Sequence, residues 1–160
     1  MNILELPVNR YCPIAHSLEV LGPKWNLLIL REAALGRTRY AEFQKIGVPT
    51  NILLGRLESL VEAGLLDRRP YREPGKRART EYLLTDAGRD TLPVLAALTA
   101  WGDQYARTSR EPAMLLVDEA TGQPVNLAFT DTNGTVVDPA HVRMIYGPGA
   151  TQPTSESPSS

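Results

Sequence analysis

GVPTNILLGRLESLVEAGLLDRRPYREPGKRARTEYLLT, residues 47–85, contains an amphipathic segment followed directly by an arginine-rich one. Four apolar residues of the first segment recur at helical spacing and predict a helix at about 50–63 with one buried stripe. They are Leu53, Leu57, Leu60 and Val61. The second segment predicts a β-hairpin, with strands at about 65–71 and 79–84 and a turn at Pro74-Gly75. Its cations are Arg68, Arg69, Arg72, Lys76, Arg77 and Arg79.

The outer side of the predicted helix is polar, and its charge changes along its length. Thr50, Asn51 and Gly55 are uncharged, whereas the acids Glu58 and Glu62 lie in the C-terminal half. This arrangement suits a helix whose first two turns enter a DNA groove, because carboxylates there would be repelled by phosphate. A packed helix beside a solvated basic loop is the alternative. The direct succession of helix and basic hairpin favours a winged helix-turn-helix that binds nucleic acid.

Charge and hydrophobicity are unevenly distributed along the 160 residues, which fit one domain of roughly 100–150 residues plus an appendage. Residues 1–110 contain 16 Lys and Arg against 12 Asp and Glu, whereas residues 111–160 contain one Arg and six acids. Basic character is therefore confined to the first two thirds of a chain whose net charge is −1. No apolar run approaches the ~20 residues that span a bilayer, and no secretory signal is evident. We expect a cytoplasmic protein that does not bind membranes.

Hydrophobic periodicity predicts a mainly α-helical fold with a small β component. The last helix, which Thr85 caps, contains Pro93, and this proline is expected to bend the helix or to break it near its start. Helices are predicted at about 12–21, 24–35, 39–46, 50–63 and 86–107.

Four parts follow along the chain: an N-terminal arm at 1–11, the winged helix-turn-helix domain at 12–108, an appendage at 111–146 and a tail at 147–160. The appendage alternates short apolar runs with turns at Gly122 and Gly134, which predicts a small antiparallel sheet of two to four strands. The tail is rich in Ser and Pro and is expected to be disordered.

Three runs occur in an order that resembles HxlR-type transcriptional regulators. They are CPIAHSLEVLGPKWNLLILREAALGRTRYAEF at 12–43, GVPTNILLGRLESLVEAGLLDRR at 47–69 and TEYLLTDAGRDTLPVLAAL at 80–98. With Trp101-Gly102, the resemblance covers about 12–105. It implies a dimeric winged-helix protein that binds double-stranded operator DNA, and many such proteins sense electrophiles, oxidants or small aromatic compounds. The expected partners are therefore DNA, a second copy and a small-molecule effector, and no cofactor or metal is expected.

The resemblance also implies which residues face DNA. Lys24 precedes Trp25 as the family's Lys-Trp pair does, and Arg39 stands before an aromatic residue at the start of the third helix. The remaining family positions are occupied by Thr50, Asn51, Arg56 and Arg79. Many members have two polar residues where this chain has Leu54 and Gly55, so its base preference should differ from theirs.

The residues themselves suggest a role for each position. Asn51 either pairs with adenine or caps the helix, and Thr50 either contacts phosphate or caps. Leu54 suits a thymine methyl, and Gly55 suits close approach to the groove wall. The remaining candidates are cations: Lys24, Arg39, Arg56, Lys76, Arg77 and Arg79. Lys24 and Arg39 are expected to contact phosphate, whereas Arg56 either contacts the DNA backbone or braces the predicted hairpin, called the wing, through an acid. The cations of the wing enter or straddle a minor groove.

The resemblance implies dimerisation through the first helix and the long last helix. Residues expected at that interface are Leu18, Leu95, Leu98, Trp101 and Tyr105. Cys12, the only cysteine, precedes Pro13 and should cap the first helix, where the helix dipole favours the reactive thiolate. Several family members have a sensing cysteine at this position. A buried, inert thiol is the alternative.

Two other classes of function were weighed against DNA binding. Cys12, His16 and Glu19 contain the groups of a nucleophile, a base and an orienting acid, but they share one short helix without an oxyanion loop, so we expect no enzyme. A winged protein-interaction module without specific DNA binding is favoured by the acidic tail and disfavoured by the wing arginines.

A second, weaker resemblance concerns the appendage. It is similar to zinc-ribbon-like tails of some family members, in which cysteines precede glycines. Thr121, Thr130 and Asn133 occupy the matching places here, so we expect a metal-free remnant of that module.

Overall fold

The computed structural model describes residues 2–6, 9–106 and 111–150. Within these residues the fold is mainly helical, with two small antiparallel sheets, as predicted. One-turn 3-10 helices lie at Ile3–Glu5 and Pro139–His141. The α-helices and strands are α1 Pro13–Leu21, α2 Lys24–Ala34, α3 Tyr40–Gln44, α4 Thr50–Glu62, β1 Leu66–Tyr71, β2 Arg79–Leu84, α5 Asp86–Arg89, α6 Leu92–Tyr105, β3 Phe129–Thr130 and β4 Val136–Val137. No helix among them is both long and apolar enough to cross a membrane.

The core lies where α2, α3 and α4 meet the first hairpin. Leu53, Leu57 and Leu60 of α4 are fully buried, which confirms the predicted stripe, and Val61 is half-buried beside them. Each fully buried leucine contributes roughly 1.5–3 kcal/mol relative to an exposed one. The other large side chains that are fully buried are Phe43, Ile29, Leu30 and Leu66. This packing fixes α4 so that its opposite side faces outward.

The residues that precede α3 pair with the first hairpin through an isolated bridge. Strands β1 and β2 pair in antiparallel register from Leu66 opposite Leu84 to Tyr71 opposite Arg79. Arg39 forms a further antiparallel bridge with Glu81, and the Tyr82 amide donates to the Thr38 carbonyl over 2.7 Å. The start of α3 is therefore attached to the hairpin through the backbone.

The last predicted helix is divided into two. Thr85 caps α5 as predicted, since its hydroxyl oxygen accepts from the Gly88 amide over 3.0 Å. The break falls at Asp90 and Thr91, and Pro93 lies in the first turn of α6, where its missing N–H breaks no helical bond. Helix α6 has 14 residues, fewer than predicted, and the expected helix end at 107 lies outside the described residues.

The appendage contains little regular secondary structure. Strands β3 and β4 pair through Phe129 with Val137 and Thr130 with Val136, and Val117 forms an isolated bridge with Pro124. The segments 114–117 and 124–127 line an apolar groove of about 620 Å³ against α2 and α6. The predicted tail begins at residues 147–150, which end in a turn, and residues 151–160 lie outside the described chain.

Candidate nucleic-acid interface

The first two turns of α4 present an outward surface that no other described element covers. Thr50, Asn51 and Gly55 are exposed, and Leu54 leaves 48% of its surface in solvent. The residue at the N-cap position is Pro49, and no side chain caps the helix. The capping alternatives for Thr50 and Asn51 are therefore wrong, because both residues already lie inside the helix. Within the described residues the Asn51 amide makes no hydrogen bond, so all of its donors and acceptors are available to a ligand.

Gly55 has no packing role within the subunit. A Cβ added there would meet no heavy atom within 4 Å. Glycine in an exposed helix interior costs about 1 kcal/mol relative to alanine. The fold of the subunit therefore does not require this glycine.

The wing is attached to the start of α3 by an ionic cluster that the sequence did not predict. The Arg39 guanidinium donates to Glu73 over 2.9 Å and stacks on the Tyr71 ring at 4.7 Å from its centroid. The Lys76 ammonium donates to the other oxygen of Glu73 over 2.6 Å. These two cations hold the pKa of the Glu73 carboxyl below its usual range, with Lys76 making the larger contribution. Two of the predicted phosphate contacts thus share one carboxylate.

A second carboxylate fixes the backbone beneath this cluster. Glu42 accepts from the amides of Arg39 and Thr38, each over 2.9 Å. These backbone hydrogen bonds, first from Arg39 and then from Thr38, lower the pKa of Glu42 against the opposing effect of desolvation. Glu42 therefore holds the start of α3 in place and, through it, the base of the Arg39 side chain.

The remaining predicted DNA contacts are not held by acids. Arg77 and Arg79 are exposed and make no ion pair among the described residues. Arg56 is half-buried and, within the same residues, lies beside no acid partner, so the predicted brace to the wing is wrong. Lys24 is exposed and lies 4.9 Å from the centroid of the adjacent Trp25 ring.

Residues 20–110 match the family model described as HxlR-like helix-turn-helix. The chain belongs to this family. An HTH-type transcriptional regulator of Mycobacterium tuberculosis is 36% identical over 138 residues, which are 85% of this chain and 86% of the relative. The protein is accordingly a transcriptional regulator of the helix-turn-helix type.

Solved structures of similar proteins have the same winged-helix fold. PA1607, described as a proposed transcription factor, aligns with a TM-score of 0.72 at 37% identity and covers 86% of this chain and 96% of its own. The redox regulator HypR in its reduced form aligns with a TM-score of 0.53 at 27% identity and covers 59% of this chain and 93% of its own. The likeness to PA1607 therefore extends beyond the winged domain into the appendage.

Several residues that the HxlR-like resemblance assigns to a dimer interface are exposed. Leu18 on α1 and Leu98, Trp101 and Tyr105 on α6 leave 49–67% of their surfaces uncovered. The Trp101 and Tyr105 rings lie 5.6 Å apart. Leu95, by contrast, is half-buried and packs partly against the core of its own domain.

Cys12 occupies the N-cap position of α1, as predicted, and is half-buried. His16, one turn later, is engaged elsewhere, because its Nε2 lies 2.8 Å from the Arg10 carbonyl oxygen. Among the described residues no three His, Cys, Asp or Glu side chains converge in a geometry that would hold a metal ion.

Proposed function

We propose that this regulator is a homodimer that binds a palindromic operator in double-stranded DNA. The recognition helix, about 50–63, reads bases in the major groove, and the wing, 68–79, contacts the adjacent backbone or minor groove. The observation that carries the proposal is the outward face of α4, where the amide of Asn51 is without a partner in the described chain and lies beside an unobstructed Gly55. The proposal includes no catalysis, cofactor or metal, and the site of action is the cytoplasm.

Base reading is assigned to the first two turns of α4. The Asn51 amide suits the N6 and N7 edge of adenine, and the exposed Leu54 suits a thymine methyl. Thr50 suits a phosphate oxygen at the groove edge. The absence of charge on these side chains fits a surface that lies between two rows of phosphates.

Phosphate contacts are assigned to cations around this face. Arg77 and Arg79 carry undiminished charge, whereas Arg39 and Lys76 are partly neutralised by Glu73. Lys24 and Arg56 complete the set. Such contacts set the register of the protein on DNA and make binding depend on salt.

Dimerisation is assigned to the exposed apolar residues of α1 and α6. A twofold axis would place these residues against their own counterparts and present two copies of α4 to DNA. Four of these side chains are exposed and would contact the partner: Leu18, Leu98, Trp101 and Tyr105. Leu95 is half-buried and packs against the core, so it would hold α6 in place beneath the interface.

DNA binding is tested by fluorescence anisotropy on the region upstream of the gene for this protein. We expect affinity that falls steeply with salt, and an Asn51→Ala variant that loses discrimination at one or two base pairs while still binding non-cognate duplex. If Asn51→Ala lost affinity equally for every operator variant, Asn51 would position the protein on DNA and would not read bases. Absence of salt-dependent DNA binding by the wild-type protein would favour the alternative, a winged-helix protein-interaction module.

Cys12 is the candidate sensing residue within this proposal. It occupies the N-cap position of α1, a helix assigned to the dimer interface, and HypR, a structural neighbour, is a redox regulator. Modification of Cys12 by an oxidant or an electrophile, or binding of a small aromatic effector, would shift α1 at the dimer interface and change the spacing of the two recognition helices. A Cys12→Ser variant should resist release from DNA by diamide or a quinone. Equal release of variant and wild type would leave Cys12 as an inert packed thiol.

A further inference from the structure

The appendage lacks a core of its own. None of the described residues 111–150 is buried, and ten large apolar side chains in this segment leave at least 40% of their surfaces in solvent. A module of about 40 residues rarely stays folded without a core, a metal, disulfides or a partner. The fold of the appendage therefore requires an apolar surface from elsewhere.

Its own chain supplies that surface for one half only. The segments 114–117 and 124–127 face α2 and α6 across the groove described above. The second half does not line this groove, and six of its large apolar side chains leave 40–86% of their surfaces exposed. We name these residues the outer apolar surface: Phe129, Val136, Val142, Met144, Ile145 and Tyr146.

Among these 160 residues, those that the structure does not describe are too polar to cover the outer apolar surface. They are 1, 7–8, 107–110 and 151–160. Their apolar side chains are Met1, Pro7, Val8, Pro153 and Pro158, since residues 107–110 read RTSR and residues 151–160 read TQPTSESPSS. These side chains are too few to cover six large apolar groups.

We propose that the outer apolar surface packs against a second copy of this chain and extends the interface formed by α1 and α6. The large apolar side chains on and beside those helices expose on the order of 900 Å² per copy, close to the ~800 Å² per partner of a standard interface. The outer apolar surface adds on the order of 700 Å². Together they reach the range of obligate homodimers, above about 2,000 Å² in total.

Charge disfavours other occupants. Residues 111–160 have a net charge of −5, from one Arg and six acids. An acidic appendage is repelled by anionic lipid or nucleic acid. The inference rests on the homodimer of the proposed function but not on DNA binding.

The test is sedimentation velocity of the full-length protein over a concentration series. The double variant Met144→Ser/Ile145→Ser should raise the dimer dissociation constant at least tenfold. Ala120→Ser, which adds a hydroxyl at an exposed position of the same appendage and removes no large side chain, should leave it unchanged. Leu98→Ser is the reference for the helix interface.

The outcomes separate this inference from the proposed function. If the double variant dimerises like the wild type while Leu98→Ser does not, the appendage is outside the interface and the inference fails, although the helix dimer stands. A wild-type protein that stays monomeric at every soluble concentration, including one that instead binds lipid vesicles, overturns both the inference and the homodimer.

A measurement on the wild-type protein is also needed, because a variant could lose dimerisation only by misfolding the appendage. In a dimer mixed from isotope-labelled and unlabelled chains, filtered NMR spectra should show contacts from the methyl groups of Met144 and Ile145 to protons of the other chain. Contacts confined to the same chain would overturn the inference.

Discussion

The guanidinium of Arg39 donates to the carboxylate of Glu73 over 2.9 Å and joins the start of α3 to the wing. The two residues are 34 positions apart in sequence. Glu73 also accepts from Lys76, so one acid is shared by two cations at the edge of the proposed DNA surface. This acid orders the wing, and at the same time it withholds positive charge from phosphate.

Replacing Glu73 with Gln should strengthen non-specific DNA binding. The change removes one negative charge near the proposed phosphate contacts and releases Arg39 and Lys76, so affinity for non-cognate duplex at low salt should rise roughly threefold to tenfold. The slope of log affinity against log salt should steepen by about 1–2 units. Glu119→Gln makes the same charge change on the exposed appendage and should alter neither quantity. Identical salt slopes for both variants would show that Glu73 does not restrain DNA-contacting cations.

The arginines of the wing should contribute affinity without specificity. Replacing Arg77 and Arg79 with Ala should weaken binding to all duplexes to a similar degree and flatten the salt slope by about 0.9 for each lost phosphate contact. Arg143→Ala removes the one basic side chain other than His141 from the acidic appendage and serves as the control. Anisotropy titrations at several salt concentrations measure both effects. An unchanged slope would remove the wing from the DNA interface.

The sequence predicted the elements whose signals are local. The stripe of Leu53, Leu57 and Leu60 identified α4, and the Pro74-Gly75 turn identified the wing, because periodicity and turn chemistry act over a few residues. Two contacts of Arg39, its bridge with Glu81 and its ion pair with Glu73, were not predictable. They depend on the tertiary placement of segments more than 30 residues apart.

One error arises where a residue type suits more than one position. Thr and Asn are preferred N-caps, but Pro49 holds that position in α4, so Asn51 is the second residue inside the helix. The break expected near Pro93 is confirmed, at Asp90 and Thr91. The close packing of α5 on Leu65 was not predictable, because it depends on Gly88, where a Cβ would collide with the Leu65 carbonyl oxygen.

Replacing Gly55 with Ala should improve folding and impair DNA binding. An added methyl meets nothing in the subunit, so the free energy of unfolding in urea should rise by about 1 kcal/mol. Gly102→Ala, in α6, adds a methyl that is equally unobstructed and gives a reference for this gain. If α4 approaches the groove wall closely, overpacking should cost about 1–3 kcal/mol of operator affinity. A stabilised Gly55→Ala protein with wild-type affinity would contradict the proposed close approach.

The stability of the α3–wing junction should depend on pH through Glu42. Its hydrogen bonds from the Arg39 and Thr38 amides lower its pKa below the ordinary value of about 4.5. The stabilisation is therefore fully present above pH 4.5 and is lost as the pH falls through the lower pKa of the folded state.

A Glu42→Gln variant separates the charge of this group from its shape, because Gln keeps an oxygen acceptor but cannot ionise. At pH 7 it should be less stable than wild type by roughly 1 kcal/mol, and the difference should shrink towards zero in acid, where wild-type Glu42 is itself neutral. Urea unfolding at a series of pH values measures the difference, with Glu119→Gln as the control that lacks such backbone bonds. A difference that stays constant from neutral to acid would mean that the carboxylate charge does not hold the start of α3. Because Arg39 immediately precedes that helix and pairs with Glu73 of the wing, loss of the Glu42 contact should also loosen the wing and lower DNA affinity.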